Sequence, residues 1–288
     1  AHLALYEAKQ SRNDVCTYRT EMEMAYLRRL SVEQRLRYGL ASGSLYMVYQ
    51  PQVDETQKTV GVEALVRWQD EELGFVSPAE FVEVAEKSGL MVPLGRFVVE
   101  TSIREYSLLR KVIGRSIDLA INISVIQFRQ PDFVDTVLEA LEAHDVSPGD
   151  LVLEITESLF MTDFDKVLKT IERLREHGIR ISMDDFGTGS CSLVALQQLP
   201  LDVIKIDHRF IRDIPYNVSA TDVASAVIAL AHKLHLTVVA EGVETLQQLT
   251  FLKSAGCAQC QGNLFSYPLD EDALIGFLIR QYEKPLIS

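Results

Sequence analysis

Short apolar runs of strand-like composition alternate with longer segments whose apolar positions recur at helical spacing. The predicted strands are Tyr46 to Val53, Val60 to Trp68, Leu119 to Ser124, Leu151 to Thr156, Ile179 to Asp185, Val203 to Asp207, Leu236 to Val243 and Cys257 to Gly262. Helical periodicity predicts helices over Pro78 to Ser88, Leu94 to Lys111, Pro131 to His144, Asp163 to His177, Ser192 to Leu199, Ala220 to Leu234, Leu246 to Ala255 and about Glu271 to Tyr282. Strand and helix in alternation over some 240 residues predicts an α/β fold, a (β/α)8 TIM-like barrel, whose sites lie at the downstream ends of parallel strands. The first two strands are joined only by the residues around Asp54 to Thr59, which suits a hairpin and not a crossover, so one strand of the barrel is expected to be antiparallel. Before Tyr46 the pattern changes. Ala1 to Gln10 reads as helix, Arg12 to Thr17 as a short turn and strand, and Glu21 to Ser42 as a charged helix.

Seven of the eight strands carry a carboxylate or a side-chain amide at or near their ends: Glu63, Asn122, Glu154, the pair Asp184 and Asp185, Asp207 with Lys205 beside it, Glu241, and Gln261. Acids are disfavoured in strands, and burying an unpaired carboxylate is costly, so repetition of the feature asks for one cause. Parallel strands gather their downstream ends in one place. Acids clustered there would repel one another unless a divalent cation were bound among them.

Composition narrows the partners. The 288 residues are 47% hydrophobic with a net charge of −13, enough for a sizeable core and unsuited to coating a nucleic-acid polymer. A small anionic ligand remains compatible where cations or a few basic residues reverse the local field, with Lys205 and Arg67 nearest in sequence to the acids. No apolar run approaches the roughly 18 residues of a membrane span, and no signal core is seen, so a cytoplasmic fragment without membrane contact is expected. Four scattered cysteines fit a reducing compartment; Cys257 and Cys260 form a C-x-x-C without zinc or thioredoxin context and read as buried thiols.

The string Glu63-Ala64-Leu65-Val66-Arg67 resembles the signature of the EAL family of cyclic-di-GMP phosphodiesterases. The resemblance also rests on Tyr49-Gln50-Pro51, Val76-Ser77-Pro78-Ala79-Glu80-Phe81, Asn122-Ile123-Ser124, Leu153 to Ser158, Asp184 to Gly189, Lys205-Ile206-Asp207, Ala240 to Glu244 and Gln261-Gly262, in family order. It runs from about Leu30 to the C-terminus. The stretch Ala4 to Lys9 followed by Arg12-Asn13 resembles the last helix of a GGDEF domain, which implies a 1–29 remnant and linker helix ahead of a 30–288 EAL domain. A parent chain with upstream GGDEF and sensory domains follows, and such a parent could be anchored in a membrane through its upstream segments.

The resemblance implies hydrolysis of one phosphodiester bond of cyclic di-GMP to linear pGpG with two Mg²⁺ or Mn²⁺ ions, Ca²⁺ being inhibitory. By matching positions, Glu63, Asn122, Glu154 and Asp184 are implied ligands of a first ion, with Asp184 shared and Asp185 on a second. Glu241 is the implied general base. Lys205 would hold the attacking water or balance phosphate charge, with Asp207 orienting Lys205 or serving at the metal site. Gln50, Leu65, Arg67 and Gln261 fall along the nucleotide groove, and Glu157 matches a glutamate that steadies the loop after the aspartate pair.

Several positions depart from the family pattern. Ser190-Cys191 stand where an aromatic is usual in a loop associated with homodimer coupling, Asn263 and Tyr267 where an aromatic and a basic residue are expected, and Gln52 where an aliphatic is more usual. Two rival readings belong to the same residues: a catalytically silent EAL domain that senses the dinucleotide, and a metal-dependent barrel lyase of different chemistry.

Overall fold

The computed structural model describes residues 20–161, 163–187 and 193–283. The predicted elements before Thr20 and the loop with Ser190 and Cys191 lie outside them. The described chain forms two compact units, one built from the chain up to Tyr46 with Arg67–Leu94 and a larger one from Met47–Val66 and the chain from Gly95 onward.

In the smaller unit the helix Thr20–Ser42 buries Val32, Leu36 and Gly39. Its Arg35 makes a paired contact with the buried carboxylate of Asp70 at 2.9 and 3.0 Å. Trp68 is fully buried, packs edge-on against Phe81 at 5.8 Å, and donates its indole N–H to Ser44 Oγ at 3.1 Å. The helix Pro78–Ser88 starts where Ser77 accepts the Glu80 N–H and Pro78 occupies the first turn, and it stops at Gly89 with φ 74°.

Among the described residues nine strands form a single sheet: β1 (Leu45–Asp54), β2 (Thr59–Asp70), β3 (Gly74–Val76), β4 (Asp118–Asn122), β5 (Leu151–Thr156), β6 (Arg180–Phe186), β7 (Val203–Ile206), β8 (Thr237–Ala240) and β9 (Gln259–Gln261). Their order is β1-β9-β8-β7-β6-β5-β4-β2-β3, with a further pairing of β1 to β2 that closes eight of them into a barrel and leaves β3 outside the ring. The expected barrel is present. The pairs from β2 through β4 to β9 are parallel, whereas β1 runs antiparallel to β9, as the short hairpin linker at Asp54 to Thr59 predicts. β3 is an addition that the sequence reading lacks. Three residues are too few to show a periodicity, and Gly74–Val76 pairs antiparallel with the end of β2.

Helix limits differ from expectation by a few residues. The helix expected from Leu94 begins at Met91, because a proline at Pro93 is tolerated in a first turn. The helix expected from Ala220 begins at Val218, where Asn217 caps the Ala220 N–H.

Inward-facing positions recur every second residue along the strands. Ala120, Val152, Val203 and Val239 form one apolar interior cluster. Two residues further along the same four strands come Asn122, Glu154, Lys205 and Glu241. A small apolar layer therefore lies directly upstream of a polar one.

The turn after β9 is tightly fitted: a Cβ on Gly262 would stand 2.2 Å from the Val243 carbonyl oxygen. Gly262→Ala is expected to destabilise the protein by about 2–3 kcal/mol, read from urea unfolding, because the crowding atom is backbone and cannot rotate away.

Candidate active site

Lys205 sits on β7 with a 1% exposed side chain, surrounded by four carboxylates. Its ammonium lies 2.6 Å from Glu241 Oε1, 2.7 Å from Glu154 Oε2, 3.4 Å from Glu63 Oε2 and 3.5 Å from Asp184 Oδ1. Burial alone would lower the lysine pKa, but the four acids overcome it and push the group well above its usual range. Lys205 is a fixed positive charge in a buried acidic cage.

The acids around it are unequal. Burial, reinforced by the charges of Glu63 and Asp184, pushes Glu154 well above the usual carboxylate range despite Lys205. Burial likewise raises Glu241 to about 7, with Asp184 and Glu63 adding and Lys205 opposing. Glu63 is equally buried, yet Lys205 and hydrogen bonds from Gln261 and Asn122 hold it below its ordinary value. Those bonds run from Asn122 Nδ2 to Glu63 Oε1 and from Gln261 Nε2 to Glu63 Oε2, both at 2.6 Å.

A bulge supplies the second cluster. The pairing of β6 with β7 shifts register between Met183 and Phe186, and Asp185 takes a left-handed φ of 54°. In a regular strand two adjacent side chains face opposite ways; the bulge re-aims one of them. As a result one oxygen each of Asp184, Asp185 and Glu241 lie within 4.8 Å of one another. Asp185 rises to about 6, first through burial and then through its hydrogen bond to Asp207 and the charge of Asp184.

Asp207 has different company. It caps the short helix His208–Ile211, accepts the Arg209 N–H at 2.7 Å, and takes the Arg209 guanidinium on both oxygens at 2.8 and 3.2 Å. Burial opposes ionisation there, but Arg209 wins and holds Asp207 at about 2. Asp207 thus lies beside Asp185 and outside the three-acid cluster. Arg209 is a neighbour that the sequence reading lacks; its signal is the spacing of two residues from a capping aspartate.

The remaining sequence candidates fall as follows. Gln50 accepts from Gln261 at 3.0 Å and donates to the Ser266 carbonyl at 3.2 Å, which joins it to Glu63 through Gln261. Leu65 and Arg67 continue along β2 from Glu63 at two-residue spacing and are half-buried. Glu157 is buried just after β5, and its Oε1 accepts the Gly187 N–H at 2.8 Å. Gly187 has φ 94° and leaves room that a Cβ would take from the Phe210 ring at 3.0 Å.

The donor set fits divalent cations such as Mg²⁺ or Mn²⁺. The grouped atoms are all carboxylate oxygens, which hard ions prefer, and the acids near Lys205 outnumber the single ammonium that they share. Glu154, Asp185 and Glu241 are each raised, first by burial and then by neighbouring acids, and a cation among them would favour their ionised forms. Asp184, Asp185 and Glu241 could hold one ion, and Glu63, Asn122, Glu154 and Asp184 offer a neighbouring oxygen set. No helix among the described residues is long and apolar enough to cross a membrane.

Comparison with known proteins places these residues in a family. The EAL domain matches residues 33–268. The chain is 38% identical over 277 residues to the bifunctional diguanylate cyclase/cyclic di-GMP phosphodiesterase MucR of Pseudomonas aeruginosa, covering 96% of this chain and 40% of that protein. It is 39% identical over 280 residues to the cyclic di-GMP phosphodiesterase NbdA of the same organism, covering 96% of this chain and 36% of that one. The chain therefore spans less than half the length of these relatives. Among solved structures, the PaMucR phosphodiesterase in complex with c-di-GMP is 38% identical and superposes with a TM-score of 0.81 over 85% of this chain and 99% of its own. The family match over most of the chain, together with the acid cage at the strand ends, makes this protein a member of the EAL domain family.

Proposed function

We propose that this domain hydrolyses one phosphodiester bond of cyclic di-GMP, giving linear pGpG, with Mg²⁺ or Mn²⁺ bound at the acid cage. The observation that carries the reading is the convergence of Glu63, Glu154, Asp184 and Glu241 on Lys205, with Asp185 swung in by the bulge, at one end of the barrel. The names of the similar proteins, phosphodiesterases of this dinucleotide, support the substrate.

What bound cations supply is charge compensation for the phosphate and acidification of the attacking water. The chain's own groups do the rest. Glu241 Oε1 is engaged by Lys205, so its Oε2 is the atom assigned to take the proton of that water. Lys205, immobilised by its four acids, presents a fixed positive charge next to the phosphate oxygens and keeps Glu154 and Glu241 in place. Asp207 and Arg209 together hold Asp185, and Glu157 fixes the turn after the aspartate pair through the Gly187 N–H. Arg67 grips phosphate with its forked guanidinium, while Leu65, Gln50 and Gln261 line the nucleotide groove. Upstream GGDEF and sensory domains, a homodimer and a cytoplasmic setting complete the proposal for the parent chain.

Incubation with cyclic di-GMP and Mg²⁺, followed by separation of the products, tests it: linear dinucleotide is the expected product, and intact substrate would overturn the reading. Chelation is expected to abolish turnover, Mg²⁺ or Mn²⁺ to restore it, and Ca²⁺ to fail, because a larger ion with looser geometry does not hold the same oxygen arrangement. Full activity in Ca²⁺ contradicts this.

A further inference from the structure

Gln52 lies inside the barrel on β1, 4% exposed, opposite Gln261 in the β1 to β9 register. Its Nε2 donates to Gln261 Oε1 at 3.0 Å. Gln261 in turn donates Nε2 to Glu63 Oε2 at 2.6 Å and to Gln50 Oε1 at 3.0 Å. The two ends of an amide are chemically opposite, so this chain has one workable polarity. An ionised Glu63 only accepts, hence Gln261 turns its NH₂ to it; Gln261 Oε1 then faces Gln52, which has to donate. Gln52 is itself fitted closely: a Cβ on Gly61, two residues before Glu63, would stand 2.8 Å from Gln52 Oε1.

We infer that Gln52 is a positioning residue for the cation site, bracing Gln261 from its oxygen side and, through it, the carboxylate of Glu63. The inference rests on the proposed function, since it concerns the same cage. Gln52 itself does not need to touch the ion. Without the Gln52 donor, Gln261 Oε1 loses its hydrogen-bond partner and the amide is held from its nitrogen side alone, by Glu63 and Gln50, so the direction in which Nε2 meets Glu63 is less constrained. Groups that orient a metal-binding side chain in this way commonly alter metal affinity when removed, even at a distance from the ion.

The test is calorimetric titration of Mn²⁺ into the substrate-free protein. Gln52→Met, which keeps the length of the side chain and removes the donor, is expected to weaken Mn²⁺ binding by roughly 10-fold. Gln261→Met is expected to weaken it too. The double variant should bind no more weakly than Gln261→Met alone, because Gln52 acts only through Gln261; a structural role for Gln52 would multiply the losses instead. Thermal unfolding without metal establishes that the variants are folded, and Gln52→Asn, whose shorter amide cannot reach Gln261, carries the same comparison should the methionine variant fail to fold. Unchanged Mn²⁺ affinity in Gln52→Met, or multiplicative losses in the double variant, overturns the inference alone. A wild-type protein that binds no Mn²⁺ overturns the functional reading and this inference with it.

Discussion

Replacing Glu241 by glutamine is expected to lower turnover of cyclic di-GMP by roughly 10²- to 10⁴-fold, the range of a lost general base. Binding of the dinucleotide should change far less. The glutamine has the same shape, and its Oε1 still accepts from the Lys205 ammonium, now 2.6 Å from Glu241 Oε1. What it lacks is an oxygen able to take a proton. In the metal-free protein, burial raises Glu241 to about 7. Steady-state turnover and calorimetric titration of the nucleotide separate the outcomes. A drop in affinity as large as the drop in turnover would make Glu241 a binding group and remove it as the base.

Replacing Lys205 by methionine is expected to affect both folding and chemistry. Methionine fills a similar volume, but four carboxylates then share a buried space without the ammonium that joins them. Breaking a buried charge cluster by deleting one partner costs about 3–5 kcal/mol, and that loss should appear in urea unfolding of the metal-free protein. Added Mn²⁺ should recover more stability in this variant than in the wild type, since the ion replaces the missing charge. The loss should also depend on pH with a definite sign. Glu154, Asp185 and Glu241 all have raised native pKa values, the latter two at about 6 and about 7, so between pH 4 and pH 7 the native state holds more protons than the unfolded chain. Metal-free stability attributable to these groups therefore falls as pH rises through that window, more steeply once Lys205 is gone. Equal stability of the variant at pH 5 and pH 8 would contradict the cage.

Much of this was legible in the residues because the barrel's period of two is simple. A polar residue two positions after an interior valine, as in Val152 and Glu154 or Val203 and Lys205, marks the end of a strand and the floor of a site at once. The reversed first strand was legible because the chain around Asp54 to Thr59 is too short to cross the barrel. Other features left no periodic trace. The bulge at Asp184 and Asp185 depends on a register shift against β7, which adjacent letters do not encode, and β3 is too short to alternate. Lys205 reads in sequence as a group that holds water or balances phosphate charge; the fold places four acids around it. The pairing of Arg209 with both oxygens of Asp207 likewise leaves no trace in the strand pattern.

The barrel closes by joining its first strand to its last, Gln52 opposite Gln261 across 209 positions of chain. A polypeptide still emerging from the ribosome therefore carries Glu63 long before Gln261 exists to restrain it. Parallel strands can accumulate in order during synthesis, but the cage reaches its final shape only once β9 has been made. Until then the strands made so far form a half-built acidic trough.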